Sequence, residues 1–393
     1  MNSILDNDIF LKGKKVIVRV DLNVPMKDGS ITELSRIIKI LPTLKLLIKK
    51  KAKIIILSHI GRPKGKVVNG MSLEPISKKL SELLNTEVLF NKNKINEKTF
   101  IEINKIPNGS IMMMENIRFY EEEEKNEDSF SKKISSLGDI YVNDAFSCSH
   151  RAHSSIEGIT KYIQSYCGLQ FIEEINALKR ITSKITRPVT CIIGGSKIST
   201  KIKIISNLIN NFDNIVIVGG MGNAMLKNTG VDIGKSICDD GYKDLVEEIL
   251  KKSKTHDCQI YYPLDVVVSK TLDGNGTIKE VNEINNDEMI LDIGPKTITS
   301  IKNIIEESNT VLWNGPAGYF ENPNFANGTK KILEIISNKR VKNKIYAVAG
   351  GGETVAVINK FKKLDSFNFV STAGGAFLEY LEGKELPGIK ALN

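Results

Sequence analysis

The chain has 393 residues, 41% of them hydrophobic, and a formal net charge of +9. Because one hydrophobic core rarely organises so many residues, we expect two domains. Five scattered cysteines, none in a C-x-x-C arrangement, argue against a disulfide framework or a structural zinc site and fit a reducing, cytoplasmic setting. The N-terminus lacks the apolar core of a signal peptide, and no stretch reaches the roughly 18 apolar residues of a membrane span, so we expect no membrane partner.

The positive charge does not indicate nucleic acid as a partner. Lysines alternate with Ile and Asn, as in KNKINEKTFIEINK, and no purely basic block occurs. We interpret the charge as spread over solvated faces, and the acidic run EEEEKNED at residues 121–128 as a solvated loop. A basic scaffold or nucleic-acid-binding protein is therefore the weaker alternative.

Short β-branched runs alternate along the chain with stretches of helical spacing, a pattern typical of parallel sheets covered by helices on both faces. The predicted strands of the first half are KVIVRVDL, AKIIILSH, SIMMMEN and DIYVNDAF. Those of the second half are VTCIIGG, NIVIVGG, TVLWNG, YAVAGGG and FNFVSTAGG. Between the halves, helical apolar spacing from Phe171 to Ile181, followed by Pro188, predicts a connecting helix over residues 168–184. The sequence thus predicts an α/β fold of two doubly wound domains, at residues 1–167 and 185–377.

In the first half, every predicted strand is followed by polar and basic residues. These are Asp21 and Asn23, with Arg36 in the next helix, then His59 and Arg62, then Arg118, and finally His150, Arg151 and His153. The carboxyl ends of parallel strands share one edge of a sheet, so we expect these side chains to lie together. One arginine there is most simply a surface ion pair, but basic groups after four strands predict a site for a small polyanion. His150 and His153 have no carboxylate or cysteine at metal-ligand spacing, and we favour anion-binding or structural roles for all three histidines.

In the second half, glycines repeatedly join a strand to a helix, in IIGGSKISTK, VIVGGMGNAM, AVAGGGETVAV and VSTAGGAFLEY. Glycine lets an anion approach the amides of a helix N-terminus, where the helix dipole favours negative charge. Close packing of helix on sheet also needs small residues. However, four such junctions, one with Lys197 and Lys201 placed on one helical face at i and i+4, predict a nucleotide phosphate site. The spacings exclude a P-loop, a G-x-G-x-x-G dinucleotide turn and the protein-kinase motifs.

Eight motifs occur in order over nearly the whole chain: VIVRVDLNVP, LSHIGRPKG, ENIRFY, VNDAF with HRAHSS, IIGGSKIST, LWNGPAGYFE, GGGETVAV and STAGGAFLEYLEGKELPG. In sequence and order, they resemble the motifs of the phosphoglycerate kinase family. The resemblance implies reversible phosphoryl transfer between 1,3-bisphosphoglycerate and MgADP, giving 3-phosphoglycerate and MgATP, by a cytoplasmic monomer that uses Mg²⁺. A nucleotide-dependent oxidoreductase is the alternative from another enzyme class.

The resemblance also implies roles for individual residues. The residues implied for glycerate binding are Asp21, Asn23, Arg36, His59, Arg62, Arg118 and Arg151. Those implied for the nucleotide are Lys197, Lys201, Gly219, Gly220, Asn314, Glu321, Gly350, Gly351, Gly352, Glu353 and Thr354. Those implied to act on the transferred phosphoryl group are Arg36, Lys197, Gly352 and Gly375. The resemblance further implies hinge closure before in-line transfer, and a C-terminal segment, residues 378–393, that packs on the first domain.

The chain departs from the family pattern at a few positions. Glu353 stands where the family has the Asp that meets magnesium, and its extra methylene matters because Mg²⁺ tolerates little error in its octahedral shell. Val218 and Ala373 replace family glycines, and residues 147–149, Ser-Cys-Ser, replace Gly-Thr-Ala before His150. No charged group is lost, so we expect these changes to alter the rate rather than the reaction.

Overall fold

The computed structural model describes residues 1–6, 9–27, 29–342 and 344–393. The chain divides into two compact units, one formed by Met1–Asn176 with Glu385–Asn393 and the other by Ala177–Lys384. Each unit is built on its own parallel sheet, so the predicted α/β fold class is confirmed. Residues 378–384, which the sequence grouped with the returning segment, lie in the second unit. Within the described ranges, no helix combines the length and hydropathy needed to cross a bilayer.

The first unit contains a six-stranded parallel sheet. Its elements are β1 (Lys15–Val20), β2 (Met26–Lys27), β3 (Ser30–Ile31), α1 (Ser35–Lys49), β4 (Lys53–Leu57), α2 (Glu74–Leu84), β5 (Val88–Asn91), α3 (Glu97–Lys105), β6 (Ile111–Met114), α4 (Glu121–Lys125), α5 (Asp128–Ser135), β7 (Ile140–Asp144) and β8 (Ser165–Cys167). The helix α6 (Leu169–Thr182) follows and contains the boundary between the units. The strand order is β5-β6-β4-β1-β7-β8, and every pair is parallel.

Alternate residues of these strands belong to two separate hydrophobic clusters. Val16 shares a cluster with Leu44 of α1, whereas its neighbour Ile17 shares the other cluster with Ile134 of α5. Successive side chains of a strand point to opposite faces, so the sheet is covered by helices on both faces. This is why its central strands are continuous apolar runs, including the buried Met112–Met114, and why polar groups collect at the strand ends.

The second unit has a second six-stranded parallel sheet and a smaller antiparallel one. Its elements are β9 (Val189–Ile193), α7 (Ile202–Ile209), β10 (Asn214–Ile217), α8 (Gly220–Asn228), α9 (Tyr242–Thr255), β11 (Gln259–Tyr261), β12 (Asp265–Ser269), β13 (Thr277–Glu280), β14 (Met289–Ile293), α10 (Pro295–Glu307), β15 (Thr310–Asn314), α11 (Asn327–Val341), β16 (Tyr346–Gly350), α12 (Gly352–Lys360), β17 (Phe369–Ser371) and α13 (Gly375–Leu381). The final helix, α14 (Pro387–Lys390), belongs to the first unit. The large sheet has the order β11-β10-β9-β15-β16-β17, and the small sheet β13-β12-β14.

All nine strands predicted from the sequence are present, and three of the strands that were missed are short edge strands of the two parallel sheets. The parallel strands β5, β8 and β11 lie at sheet edges and have only three or four residues. Three or four residues are too few to establish a recognisable strand pattern in the sequence. The hairpin of β2 and β3 and the antiparallel sheet of β12, β13 and β14 were missed as well.

The acidic run at residues 121–128 is not a solvated loop, so that interpretation is wrong. Its first five residues form α4 and its last residue begins α5. Glu123 is completely buried, and its carboxylate accepts hydrogen bonds from the backbone and side chain of Ser155. A partner 32 residues away is invisible to local sequence patterns, which is why the run was misinterpreted.

Candidate functional site

The order of the first sheet places four basic strand ends side by side. The neighbouring strands β6, β4, β1 and β7 are all parallel, so their carboxyl ends lie at one edge. Arg118 follows β6, His59 and Arg62 follow β4, Asp21 and Asn23 follow β1, and Arg151 follows β7. This edge of the first unit is called the anion site below.

Asp21 and Asn23 organise the centre of the anion site. The Arg36 guanidinium donates to the Asp21 carboxylate at 2.6 Å and to the Asn23 carbonyl at 3.2 Å. The Asn23 side chain accepts the Gly61 amide at 2.9 Å, which ties the β1 and β4 ends together. Burial acts to raise the pKa of Asp21, but the neighbouring His59, the Arg36 charge and hydrogen bonds from Ser147 and the Asn23 amide lower it below its usual value. Asp21 is therefore ionised at neutral pH and holds Arg36 in place.

The other basic side chains of the anion site differ in how many hydrogen bonds and ion pairs they already form with protein groups. Arg118 is buried, donates to the Gly61 carbonyl at 2.8 Å, and lies 3.3 Å from the Glu124 carboxylate. The Nε of Arg151 is 3.2 Å from the His150 ring. Arg62 is exposed, and across the described residues its guanidinium forms no hydrogen bond or ion pair. Arg62 is thus the cation of this site most available to a ligand.

Sequence analysis missed Arg19, which lies inside β1. It is completely buried, and its guanidinium is 3.1 Å from the His59 ring and 2.9 Å from the Ser155 hydroxyl. A signal was present in the sequence, because a charged residue interrupts the otherwise apolar run VIVRV of a strand buried on both faces.

Asp21, His59 and Cys148 bring potential metal-ligand atoms within 4.8 Å of one another. The surrounding charges oppose a cation there. Arg36 pairs with Asp21, and the Arg19 guanidinium lies 3.8 Å from the Cys148 sulfur. Three guanidinium groups, of Arg19, Arg36 and Arg118, also act electrostatically on His59. The cluster is better suited to an anion than to a metal ion.

In the second unit, three of the four glycine junctions contribute residues to the lining of a cleft of about 320 Å³. The cleft residues include Gly195, Gly219, Gly220, Glu321 and Glu353, together with the apolar side chains of Ile237, Pro263, Leu272 and Met289. Most of the lining is apolar and the charged groups are few, as in pockets that take a flat ring together with a polar group. This space is called the cleft below.

Lys201, Asn314 and Thr354 tie three strand ends together beside the cleft. The Lys201 ammonium donates to the Gly194 carbonyl at 2.5 Å and to the Asn314 side chain at 2.8 Å. The Asn314 amide in turn donates to the Gly350 carbonyl at 2.7 Å, and the buried Thr354 hydroxyl accepts the Gly315 amide. Burial lowers the pKa of Lys201 to about 8, although the Glu353 carboxylate acts to raise it.

The prediction that Lys197 and Lys201 share one helical face is wrong. Lys197 has an extended backbone and precedes a 3₁₀ turn at Ile198–Thr200, and Lys201 precedes α7. The Asp239 carboxylate causes this arrangement by accepting the Ile198 amide at 2.6 Å and the Ser199 hydroxyl at 2.7 Å. Lys197 is exposed, whereas Lys201 is held by protein carbonyls.

The glycines of the junctions serve two purposes. A Cβ on Gly194 would lie 2.0 Å from the Pro316 carbonyl, and one on Gly220 would lie 2.4 Å from the Ser196 carbonyl, so these two glycines are required by packing. A Cβ on Gly352 would meet no atom within 4 Å. Gly352 begins α12, after Gly351 at φ +96°, so the open space lies at a helix N-terminus where an anion is favoured.

The comparisons with known proteins agree with this arrangement. The family model described as phosphoglycerate kinase matches residues 6–384. A curated relative named phosphoglycerate kinase from Dictyoglomus turgidum is 45% identical over 393 residues, covering 99% of this chain and 98% of the relative. One of the same name from Wolbachia pipientis wMel is 44% identical, covering 97% of this chain and 96% of the relative.

Solved structures give the same result. The structure of phosphoglycerate kinase from Coxiella burnetii matches with a TM-score of 0.91 at 37% identity, covering 98% of this chain and 97% of that one. The phosphoglycerate kinase from Pyrococcus horikoshii matches with a TM-score of 0.83 at 29% identity, covering 100% and 98%. These matches give no support to the oxidoreductase alternative. The chain therefore belongs to the phosphoglycerate kinase family.

Proposed function

We propose that the anion site binds the phosphoglycerate and the cleft binds the nucleotide during reversible phosphoryl transfer between 1,3-bisphosphoglycerate and MgADP. One observation carries this assignment. The arginines lie at the carboxyl edge of one parallel sheet. The turn at Gly352, where a Cβ would meet no atom, lies at the carboxyl end of a strand of the other sheet. Arginine forks suit the carboxylate and phosphate of a glycerate, and amides at a helix N-terminus suit a nucleotide phosphate.

In the anion site, Arg36, Arg62, Arg118 and Arg151 supply positive charge, and Asp21 and Asn23 fix the position of Arg36. No general base is required. The acceptor in the direction of 1,3-bisphosphoglycerate formation is a carboxylate, whose pKa near ~4 leaves it ionised at neutral pH. Positioning and charge neutralisation therefore carry the rate, as expected of a loose phosphoryl transition state.

Beside the cleft, whose lining includes Glu353, we assign the phosphate chain to the amides of the Gly350 to Thr354 turn and to the exposed Lys197. Gly219 and Gly220 border the same space, and Glu321 lines its rim. Lys201 and Asn314 hold the strand ends in register. Arg36, Lys197, Gly352 and Gly375 are proposed to act on the transferred group.

Glu353 fits the magnesium of the nucleotide. It is exposed, lines the cleft, and lies in the first turn of α12, so its carboxylate can reach a cation that a bound phosphate chain carries. Magnesium is typically held in such sites by one or two carboxylates together with substrate phosphates. When bound, it would neutralise the charge of the phosphate oxygens.

Two pairs of variants test the assignment of the two substrates. Arg36→Ala and Lys197→Ala are each expected to reduce glycerate-dependent turnover by on the order of 100-fold. Each substitution removes a positive charge that is proposed to stabilise the transferred phosphoryl group. The matched controls are Lys45→Ala on α1 and Lys203→Ala on α7, which truncate exposed lysines. Turnover in Arg36→Ala and Lys197→Ala close to that of these controls would refute the assignment.

A separate comparison tests Glu353. Glu353→Gln is expected to raise the Mg²⁺ concentration needed for half-maximal turnover, and Glu353→Asp to retain the low requirement, because only a carboxylate carries the charge. Equal Mg²⁺ requirements in the unaltered protein and Glu353→Gln would exclude Glu353 as the ligand.

We also propose that the protein works as a cytoplasmic monomer and that a hinge motion brings the two substrates together. Sedimentation would test whether the protein is a monomer. Small-angle scattering with and without both substrates would test the hinge motion, since closure reduces the radius of gyration.

A further inference from the structure

A buried chain of polar groups lies behind the anion site. It begins at Arg19, which occupies an apolar strand and is 0% exposed. The Arg19 guanidinium donates from Nε to the Ser155 hydroxyl at 2.9 Å and from Nη1 to the Val20 carbonyl. Its Nη2 lies 3.1 Å from Nδ1 of His59. Arg19 therefore links a residue of the anion site to the interior of the unit.

The other end of the chain is Glu123, which is also 0% exposed. Its carboxylate accepts the Ser155 amide at 2.9 Å and the Ser155 hydroxyl at 2.5 Å. A hydroxyl has one proton to donate, so Ser155 donates it to Glu123 and accepts from Arg19. The two buried side chains are thus connected through one serine, which limits the orientations open to the guanidinium.

The direction of the hydrogen bond between Arg19 and His59 follows from the chemistry of the guanidinium alone. A guanidinium carries only N–H donors and no acceptor, so Nδ1 of His59 must accept. In a neutral imidazole, the proton then resides on Nε2. Burial, followed by the charge of Arg19, lowers the pKa of His59 well below its usual value, with Arg118 and Arg36 acting in the same direction and Asp21 against them. The geometry and the charges therefore agree on a neutral ring.

We propose that Arg19 is a positioning residue that fixes His59 as the Nε2–H tautomer, so that His59 offers the glycerate a single N–H donor, with Ser155 and Glu123 holding Arg19 in place. The inference deepens the proposed function and rests on it in one respect, the contact of His59 with the glycerate. Arg19 itself acts through His59 and is assigned no contact with the substrate.

The tautomer can be measured directly in the unaltered protein without substrate. The chain has four histidines, so a ¹⁵N–¹H long-range correlation spectrum is simple to assign, with the His59 signals identified by their loss in His59→Gln. We expect His59 to keep a protonated Nε2 and an unprotonated Nδ1 through the pH range in which a free histidine titrates. A protonated Nδ1, or an ordinary titration near ~6.5, would overturn the proposal.

A pair of adjacent serines tests the positioning link. Ser155→Ala removes the hydroxyl between Arg19 and Glu123. Ser154→Ala removes an equally buried hydroxyl that, among the described residues, bonds only the backbone carbonyls of residues 122 and 127. We expect Ser155→Ala to raise the KM for 3-phosphoglycerate about fivefold, the loss of roughly one hydrogen bond, and to leave the KM for MgATP unchanged. A general loss of packing would instead affect both variants alike.

The outcomes separate this inference from the proposed function. If both serine variants have the same KM for 3-phosphoglycerate, the positioning role is refuted while the proposed function stands. If the unaltered protein shows no glycerate-dependent turnover, the proposed function is refuted, and the spectrum of His59 still decides the tautomer.

Discussion

The Thr354 hydroxyl makes a buried hydrogen bond beside the cleft that a single substitution can test. It accepts the Gly315 amide at 2.7 Å, and both groups are buried. Thr354→Val keeps the shape of the side chain but leaves this amide without an acceptor. A buried donor that loses its partner costs about 1–3 kcal/mol, so we expect the free energy of unfolding to fall by that amount.

The same substitution should affect one substrate only. Gly315 adopts φ +107° and is followed by Pro316, which lines the cleft, so a displaced turn would alter the proposed nucleotide site. If about 1.4 kcal/mol of the cost falls on nucleotide binding, the KM for MgATP rises about tenfold. The KM for 3-phosphoglycerate should stay constant, since the proposed glycerate residues belong to the other unit.

Urea unfolding followed by tryptophan fluorescence measures the stability, because the sole tryptophan, Trp313, is buried in the core of the second unit. Thr354→Ser is the matched control, as it retains the hydroxyl. A Val variant as stable as the Ser variant, with the same KM for MgATP, would refute the reasoning.

Two further predictions concern buried charges of the second unit. The Lys339 ammonium, on α11, donates to three carbonyls at the end of α10 at 2.5–2.6 Å. Lys339→Met should therefore lower the free energy of unfolding by about 2 kcal/mol. Replacing the exposed Lys331 of α11 by Met is the control and should not change it. Burial raises the pKa of Asp292 to about 7 despite its amide hydrogen bonds. Because the folded state then keeps a proton that the unfolded state loses above about pH 4, stability should fall as the pH rises from about 4 to 7. Asp292→Asn should flatten that slope in urea titrations, and an unchanged slope would show that this carboxyl is not responsible.

The parallel sheets could be predicted from the sequence because their central strands are buried on both faces. Runs such as KIIIL in β4 and TVLWN in β15 need no partner to be recognised. The short edge strand β8, with the sequence SYC, carries no such signal. Its existence depends on pairing with β7, which is decided by the folded chain.

The anion site was predictable to the extent that its residues follow strands. Arg19 was missed because its partners His59 and Ser155 lie 40 and 136 residues away. Glu123 was missed because its partner Ser155 is also distant in the sequence, and because nothing in the run of four glutamates distinguishes the buried one from the other three. Buried polar groups are paired over long sequence distances, so their role is decided by tertiary structure and cannot be derived from spacing.

The central claim is that a phosphoryl group passes between two substrates, a nucleotide bound to one unit and a glycerate bound to the other. Its most direct test is the formation of MgADP from MgATP by the unaltered protein, measured with and without 3-phosphoglycerate. We predict turnover that saturates with 3-phosphoglycerate and falls to background without it. Turnover that is independent of the glycerate, or absent in its presence, would contradict the account.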